Sequence, residues 1–200
     1  MTLKSRQAEK KDFWNSRFSE PGYAYGEDPN DFLRETCQHL PAGDALSLCE
    51  GEGRNALYLA RLGFRVTAVD FSEVGLAKAS ALAAKHGVTI TTVLADLADF
   101  DPGSARWDLV VSIFSQPPSL IRQRLYRQLQ LALRPGGRFV LESKVEVNAT
   151  AEDRYPGVKI LREEIAPLTI ALLREQEREL REGQYHIGRQ RTAQIVAFKH

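Results

Sequence analysis

The segment Cys49-Glu-Gly-Glu-Gly-Arg-Asn-Ala56 gathers the residue types best suited to holding a ligand. Gly51 and Gly53 stand in a G-x-G-x-x-A arrangement, where glycine permits positive φ and lets a ligand approach the backbone closely. Nineteen residues after Gly51 comes Asp70, followed by Phe71 and Ser72. An acid at that distance can accept hydrogen bonds from both hydroxyls of a ribose. Asp96 stands next to Leu97, a pair in which a carboxylate accepts from an adenine amino group while the leucine packs on the ring. The turn itself carries Glu50 and Glu52, two acids that repel a pyrophosphate and suit a positively charged ligand. A dinucleotide needs a helix N-terminus free for its phosphates. S-adenosylmethionine has a ribose, an ammonium and a sulfonium but no phosphate, and these residues favour it over a nicotinamide dinucleotide.

Such groups must be placed by strand ends. Short β-branched apolar runs alternate with longer helical patterns, which points to parallel strands joined by crossover helices. The expected strands are Ala45–Cys49, Arg65–Val69, Thr89–Leu94, Leu109–Phe114 and Arg138–Leu141. Ser72 is a suitable N-cap for a helix over Glu73–His86 that Gly87 stops. A second helix is expected over Gly53–Leu62, ended by Gly63. A third, opened by Pro117 and Pro118, runs to Leu133 and is closed by Pro135-Gly136-Gly137.

The first 43 residues stand outside this alternation. Lys4–Phe18 and Pro29–Leu40 read as helices, the second capped by Asp28 with Pro29 in its first turn, and residues 20–27 read as a loop between them. They are either packing elements or a lid over the site, and the lid reading is favoured. At the other end, Leu172–Glu182 is made almost wholly of good helix formers, whereas Ala193–Phe198 reads as a strand and 183–188 as a turn-rich connection.

Composition excludes more than it identifies. The 27 basic and 26 acidic side chains nearly cancel over 200 residues, so no excess of positive charge points to a nucleic-acid partner. Arg122, Arg124, Arg127, Arg134 and Arg138 form a local basic cluster, and the spacing of Arg122, Arg124 and Arg127 around one helix favours a solvated face over a nucleic-acid patch. No apolar run approaches the length of a membrane span. The two cysteines, Cys37 and Cys49, form no metal-ligand spacing, and no metal is expected. Met1–Lys11 is charged throughout and does not read as a signal peptide. The expectation is one α/β domain over residues 1–200, with a 1–43 helical cap and a 44–200 core, in the cytoplasm.

With these residues in view, the chain resembles the class I S-adenosylmethionine-dependent methyltransferases from about Ala45 to Lys199. Leu133-Arg-Pro-Gly-Gly-Arg-Phe-Val-Leu-Glu142 is similar to that superfamily's segment before its fifth strand. Glu50–Ala56 resembles the turn of small tellurite-resistance-like and thiopurine-methyltransferase-like enzymes, and Phe13 to Arg17 with Tyr25–Leu33 looks like their N-terminal lid. The resemblance implies a Rossmann-like, seven-stranded, mostly parallel sheet with an antiparallel last strand and helices on both faces. On that ground Ala171–Arg181 is expected to be the sixth strand despite its helix propensity.

Two departures bear on the site. Ser47 stands where much of the superfamily has an acid, and Cys49 replaces its first motif glycine, so Glu50 is expected to take over pairing with the methionine ammonium. After the fourth strand the chain reads Ser115-Gln116-Pro117-Pro118 where the subgroup has a histidine before its prolines. The resulting cofactor set is Trp14, Arg17, Tyr25, Glu50, Gly51, Glu52, Gly53, Arg54, Asn55, Asp70, Phe71, Ser72, Asp96, Leu97 and Ile113. Arg17 and Arg54 are read either as partners of the methionine carboxylate or as surface cations.

Methyl transfer from a sulfonium is a direct displacement governed by positioning. A hard acceptor also needs a base to remove its proton, and no residue declares itself as one. His186, Gln116 and Tyr25 are the weak candidates, with His186 otherwise a turn residue. The expected activity is therefore methylation of a small-molecule acceptor, most plausibly a thiol or chalcogen anion. The alternatives are methylation of a protein or RNA amine, and cofactor binding without catalysis.

Overall fold

The computed structural model describes residues 3–146, 148, 150 and 155–200. In chain order the elements are α1 (Leu3–Phe18), α2 (Asp31–Cys37), β1 (Asp44–Leu48), α3 (Arg54–Arg61), β2 (Arg65–Asp70), α4 (Glu73–Lys85) and β3 (Thr91–Leu94). They continue with β4 (Trp107–Ile113), α5 (Ser119–Ala132), β5 (Leu133–Lys144), α6 (Val158–Glu164), β6 (Thr169–Glu182) and β7 (His186–Phe198). The strands form one sheet in the order β3-β2-β1-β4-β5-β7-β6. The first five are parallel, and β7 runs antiparallel to both β5 and β6. This is a Rossmann-like architecture with an antiparallel last strand.

Successive strand residues face opposite sides, and the apolar residues divide accordingly. Ala45, Val66, Ala68, Leu109, Val111 and Val140 pack with Phe32, Leu33, Ala56, Leu59 and Leu76 of α2, α3 and α4. Leu46, Leu48, Val69, Val110, Phe139 and Leu141 pack with Ile121, Leu125, Leu129 and Leu161 of α5 and α6. Strands buried on both faces explain the unbroken apolar runs in the sequence. Chain order reverses between β1 and β4, which opens a crevice beyond their carboxyl ends, the usual ligand position in such sheets.

Several boundaries differ from the sequence reading. The second helix starts at Asp31, because Asn30 is its cap and accepts from the Leu33 amide. Pro118 is extended and caps α5, which begins at Ser119. The α6 helix had no expected counterpart. Arg122 is buried and forks onto Glu164 of α6 through Nε and Nη2, both at 2.8 Å, so the arginine run does not form one solvated face.

The strand assignment of β6 holds against its helix propensity because the tertiary pairing decides. Read with a period of two, Arg174, Gln176, Arg178 and Glu182 fall on one face, where Arg174 and Gln176 reach Gln194. Glu175 and Glu177 fall on the other, paired with Arg191 and Arg189 at 2.7 Å. The β5–β7 ladder ends at Lys144 and Thr192, while β6 and β7 continue from there to Glu182 and His186. This hairpin overhangs the carboxyl edge of the sheet by about 20 Å at ~3.4 Å per residue. His186 thus opens a strand rather than sitting in a turn.

Gly53 shows how tightly the turn is packed. It caps α3 at φ +95°, and a Cβ there would lie 2.6 Å from the Ala79 Cα of α4. A side chain is excluded by backbone, so Gly53→Ala should lower the free energy of unfolding by at least about 1–3 kcal/mol. Urea denaturation checks this, and an unchanged midpoint would contradict the close α3–α4 approach.

Candidate active site

The crevice at the switch point is a cleft of about 1080 Å³ including its mouth. Three walls come from strand ends. From the β1–α3 turn, Glu50, Gly51, Glu52, Arg54 and Asn55 line it. From the ends of β2 and β3 come Asp70, Phe71, Asp96 and Leu97, and from the end of β4 come Ile113 and Gln116. The roof is made by the cap, through Trp14, Phe18 and Tyr25, and by His186 on the overhanging hairpin. Gly53, Ser72 and Arg17 are outside the lining. Ser72 caps α4 and donates its hydroxyl to Asn15 of α1 at 2.6 Å. Arg17 lies over the Tyr185 ring at 3.5 Å and reaches Glu20.

Asp70 is buried at the end of β2. Its Oδ2 accepts from the Gly51 amide at 2.9 Å and its Oδ1 from the Ser72 amide at 2.8 Å. Burial raises its pKa, and these backbone donors oppose the rise. Each oxygen keeps a further lone pair, so the carboxylate can brace the glycine turn and still accept from a diol. Asp96 accepts from the Ala98 amide at 2.8 Å and stands beside Leu97, which is largely buried.

The two turn acids have duties the sequence did not disclose. Glu50 Oε1 accepts from the Asn55 and Ala56 amides at 3.1 and 2.9 Å, and the Ser47 hydroxyl donates to Oε2. The side chain supplies the N-terminal cap that Gly53 cannot. Ser47 is thus the side-chain partner of this capping acid. Burial pushes the Glu50 carboxyl up to about 7, against the hydrogen bonds and the nearby Arg54. Glu52 accepts from the Ala24 amide at 2.7 Å and pairs with Lys78 at 2.9 Å, which fastens the cap to the core. Glu52, already paired with Lys78, is not free for a cationic ligand. Glu50 occupies the α3 N-terminus where phosphates would bind, which disfavours a pyrophosphate.

Behind the roof lies a buried ion network that motif reading missed. Glu142 at the end of β5 and Glu182 at the end of β6 share Arg178, with contacts of 2.7 to 2.9 Å. Arg54 donates to Glu182 at 2.6 Å and to the Tyr25 carbonyl at 3.2 Å, so it is neither a surface cation nor free for a ligand carboxylate. Asn30 bonds both carboxylates, at 2.6 and 2.9 Å. The one sequence signal for this network was an acid, Glu142, closing an apolar strand. Burial would raise the Glu182 carboxyl, but His186, Arg54 and Arg178 together hold it well below the usual range.

Cys49 lines the cleft at φ 53°, and its sulfur accepts from the Ser115 hydroxyl at 3.2 Å. Burial pushes its thiol up to about 12, which keeps it protonated and unreactive. Among the described residues no group of His, Cys, Asp and Glu could hold a metal ion, and no helix is long and apolar enough to cross a membrane.

Residues 45–137 match the family model described as a methyltransferase domain, a span from β1 to the Pro135-Gly136-Gly137 turn. The sequence matches no curated protein. Among solved structures, one described under the conversion of a disulfide bond into a thioacetal group in echinomycin biosynthesis aligns at TM-score 0.75 and 16% identity. That alignment covers 96% of this chain and 91% of the other. TehB from Haemophilus influenzae aligns at 0.71 and 19%, over 96% of this chain and 67% of its own. The 1,6-didemethyltoxoflavin-N1-methyltransferase of Burkholderia thailandensis, solved with 1,6-didemethyltoxoflavin and S-adenosylhomocysteine bound, aligns at 0.70 and 19%, over 100% and 91%. The chain shares their fold.

The Glu50 carboxyl has a pH consequence. Its folded value, about 7, lies above the ordinary 4.5, so the folded protein holds this proton more tightly than the unfolded chain. The stability this contributes is fully present below about pH 4.5 and is lost as pH rises through about 7. Glu50→Gln lacks that loss, so its stability relative to wild type should rise between about pH 5 and about pH 8. Parallel urea midpoints across that range would contradict the assignment.

Proposed function

We propose that the chain is an S-adenosylmethionine-dependent methyltransferase acting on a small-molecule acceptor, a thiol or a chalcogen anion. The observation that carries this reading is the convergence of the β1, β2 and β3 ends on one cleft. Gly51 stands against Asp70, Asp96 beside Leu97, and Glu50 closes the helix N-terminus to phosphate. These groups fit a ribose, an adenine and a phosphate-free tail, in that order along the sheet. The likeness to the small tellurite-resistance-like and thiopurine-methyltransferase-like enzymes, and the conversion of a disulfide bond into a thioacetal group with which one structural neighbour is associated, support a soft acceptor.

When bound, S-adenosylmethionine would supply an electrophilic methyl group on a sulfonium. The chain's own residues hold and enclose. Asp70 would orient the ribose, and Asp96 with Leu97 the adenine. The turn 50–55 would seat the methionine portion, and Trp14, Phe18 and Tyr25 exclude water from above. Orientation of this kind is worth up to ~7–11 kcal/mol of a displacement barrier. The cap residues in the roof support a small acceptor over a protein or RNA amine, which would need an open, charged rim.

Calorimetry with S-adenosylhomocysteine tests the reading. Binding is expected, and Asp70→Ala should weaken it about 10- to 100-fold, the worth of one charged hydrogen-bond acceptor. Absence of binding by the wild type, or affinity untouched by Asp70→Ala, would overturn it.

A further inference from the structure

The cofactor groups account for the floor of the cleft but leave one buried titratable group in its roof unused. His186 is 7% exposed, lines the cleft, and opens β7 directly opposite Glu182. Its ring lies between Tyr25 and Phe114, each 4.5 Å away between centroids. Nδ1 is 3.6 Å from Glu182 Oε2 and has no hydrogen-bond partner among the described residues. Phe114 is the residue that follows β4, so the imidazole overhangs the end of that strand beside Ile113 and Gln116.

We propose that His186, oriented by Glu182, takes the proton from a thiol acceptor. This rests on the methyltransferase reading above and narrows its acceptor from thiols and chalcogen anions to a thiol that enters protonated. A proton on Nδ1 would face the Glu182 carboxylate 3.6 Å away, which would leave Nε2 as the basic nitrogen. As the acceptor sulfur gives its proton to Nε2, it forms a bond to the methyl carbon. The methyl–sulfonium bond breaks, and its electron pair returns to the cofactor sulfur, leaving a neutral thioether on each side. The imidazolium that results faces the Glu182 carboxylate.

Three observations favour a thiol. The ring is enclosed by aromatic side chains, which suit a neutral, polarisable group over an ammonium or an oxyanion. Arg54 is committed to Glu182, and Arg17 is outside the lining on Tyr185, so neither is placed to hold a preformed anion. Lys10 enters the lining from α1. Facing His186 are Glu182 from β6, Arg54 from α3, Lys144 from β5 and Tyr25 from the cap. Burial lowers the imidazole pKa, joined by Lys144 and Arg54 and opposed by Glu182. The ring is therefore neutral and ready as a base at neutral pH, and a thiol is the protic acceptor nearest it in acidity.

The test compares two thiols at neutral pH with wild type and His186→Gln: an aryl thiol already ionised in solution, and an alkyl thiol that is not. His186→Gln should cut kcat/KM for the alkyl thiol by about 10²–10⁴, the usual worth of a general base, and leave the aryl thiol within a few-fold. The acidic limb of the alkyl-thiol pH profile should disappear with it. S-adenosylhomocysteine affinity should stay unchanged, which reports an intact fold. Equal losses for both thiols, or methylation of tellurite but of neither thiol, would overturn the proposal. The last result leaves the methyltransferase reading standing, whereas failure to bind S-adenosylhomocysteine removes that reading itself.

Discussion

Two carboxylates, Glu142 and Glu182, lie almost fully out of water, and their partners dictate how the cleft is walled. A buried charge without a partner is costly by several kcal/mol, so Arg178, Arg54, Asn30 and Gln194 must all meet those acids at once. Each comes from a different piece of chain: the edge strand β6, the first helix of the core, the cap and the last strand β7. Satisfying the acids therefore fixes the hairpin overhang, the loop before α2 and the start of α3 in one arrangement. That arrangement holds His186 and Tyr25 over the strand ends. The network's two acids and two arginines balance in charge, so the roof is held without adding net charge to the cleft.

A similar economy runs through the glycine-rich turn. Gly53 is needed for its left-handed backbone and its contact with α4, and it leaves the α3 amides without a side-chain cap. Glu50 reaches back to supply one, steadied by Ser47. Ser47 and Glu50, three residues apart in sequence, are thus joined in one interaction. Glu52 fastens the cap through Ala24 and Lys78. Acids that suggested only ligand chemistry also hold the site together, because a buried carboxylate always seeks donors and the nearest are backbone amides.

Most of the core was legible because its signals are local. Apolar runs, the Ser72 cap, the glycine stops and the spacing of Gly51, Asp70 and Asp96 each act over a few residues or one βαβ unit. The elements that escaped depend on distant partners. Asn30 caps α2 while bonding Glu142 and Glu182 far along the chain. Arg122 is buried only because Glu164 of α6 receives its fork. The charged run of β6 has good helix propensity, and it is a strand because β7 offers it a complete ladder. Its strand character came from resemblance and could not have come from propensity.

By itself the sequence determined the alternation of strands and helices, the switch-point crevice that follows from it, and the acids at the strand ends. Hydrophobic periodicity and turn chemistry act locally, and the right-handed crossover leaves few ways to assemble such units. Only the tertiary structure decided which of the charges are paired. Glu52 and Arg54 line the cleft but are held by Lys78 and Glu182, and Arg17 lies outside it on the Tyr185 ring. His186 moved from a presumed turn into the roof. The reason is physical: the role of an ionisable side chain is set by its desolvation and by the partner it meets, and both are properties of the folded chain.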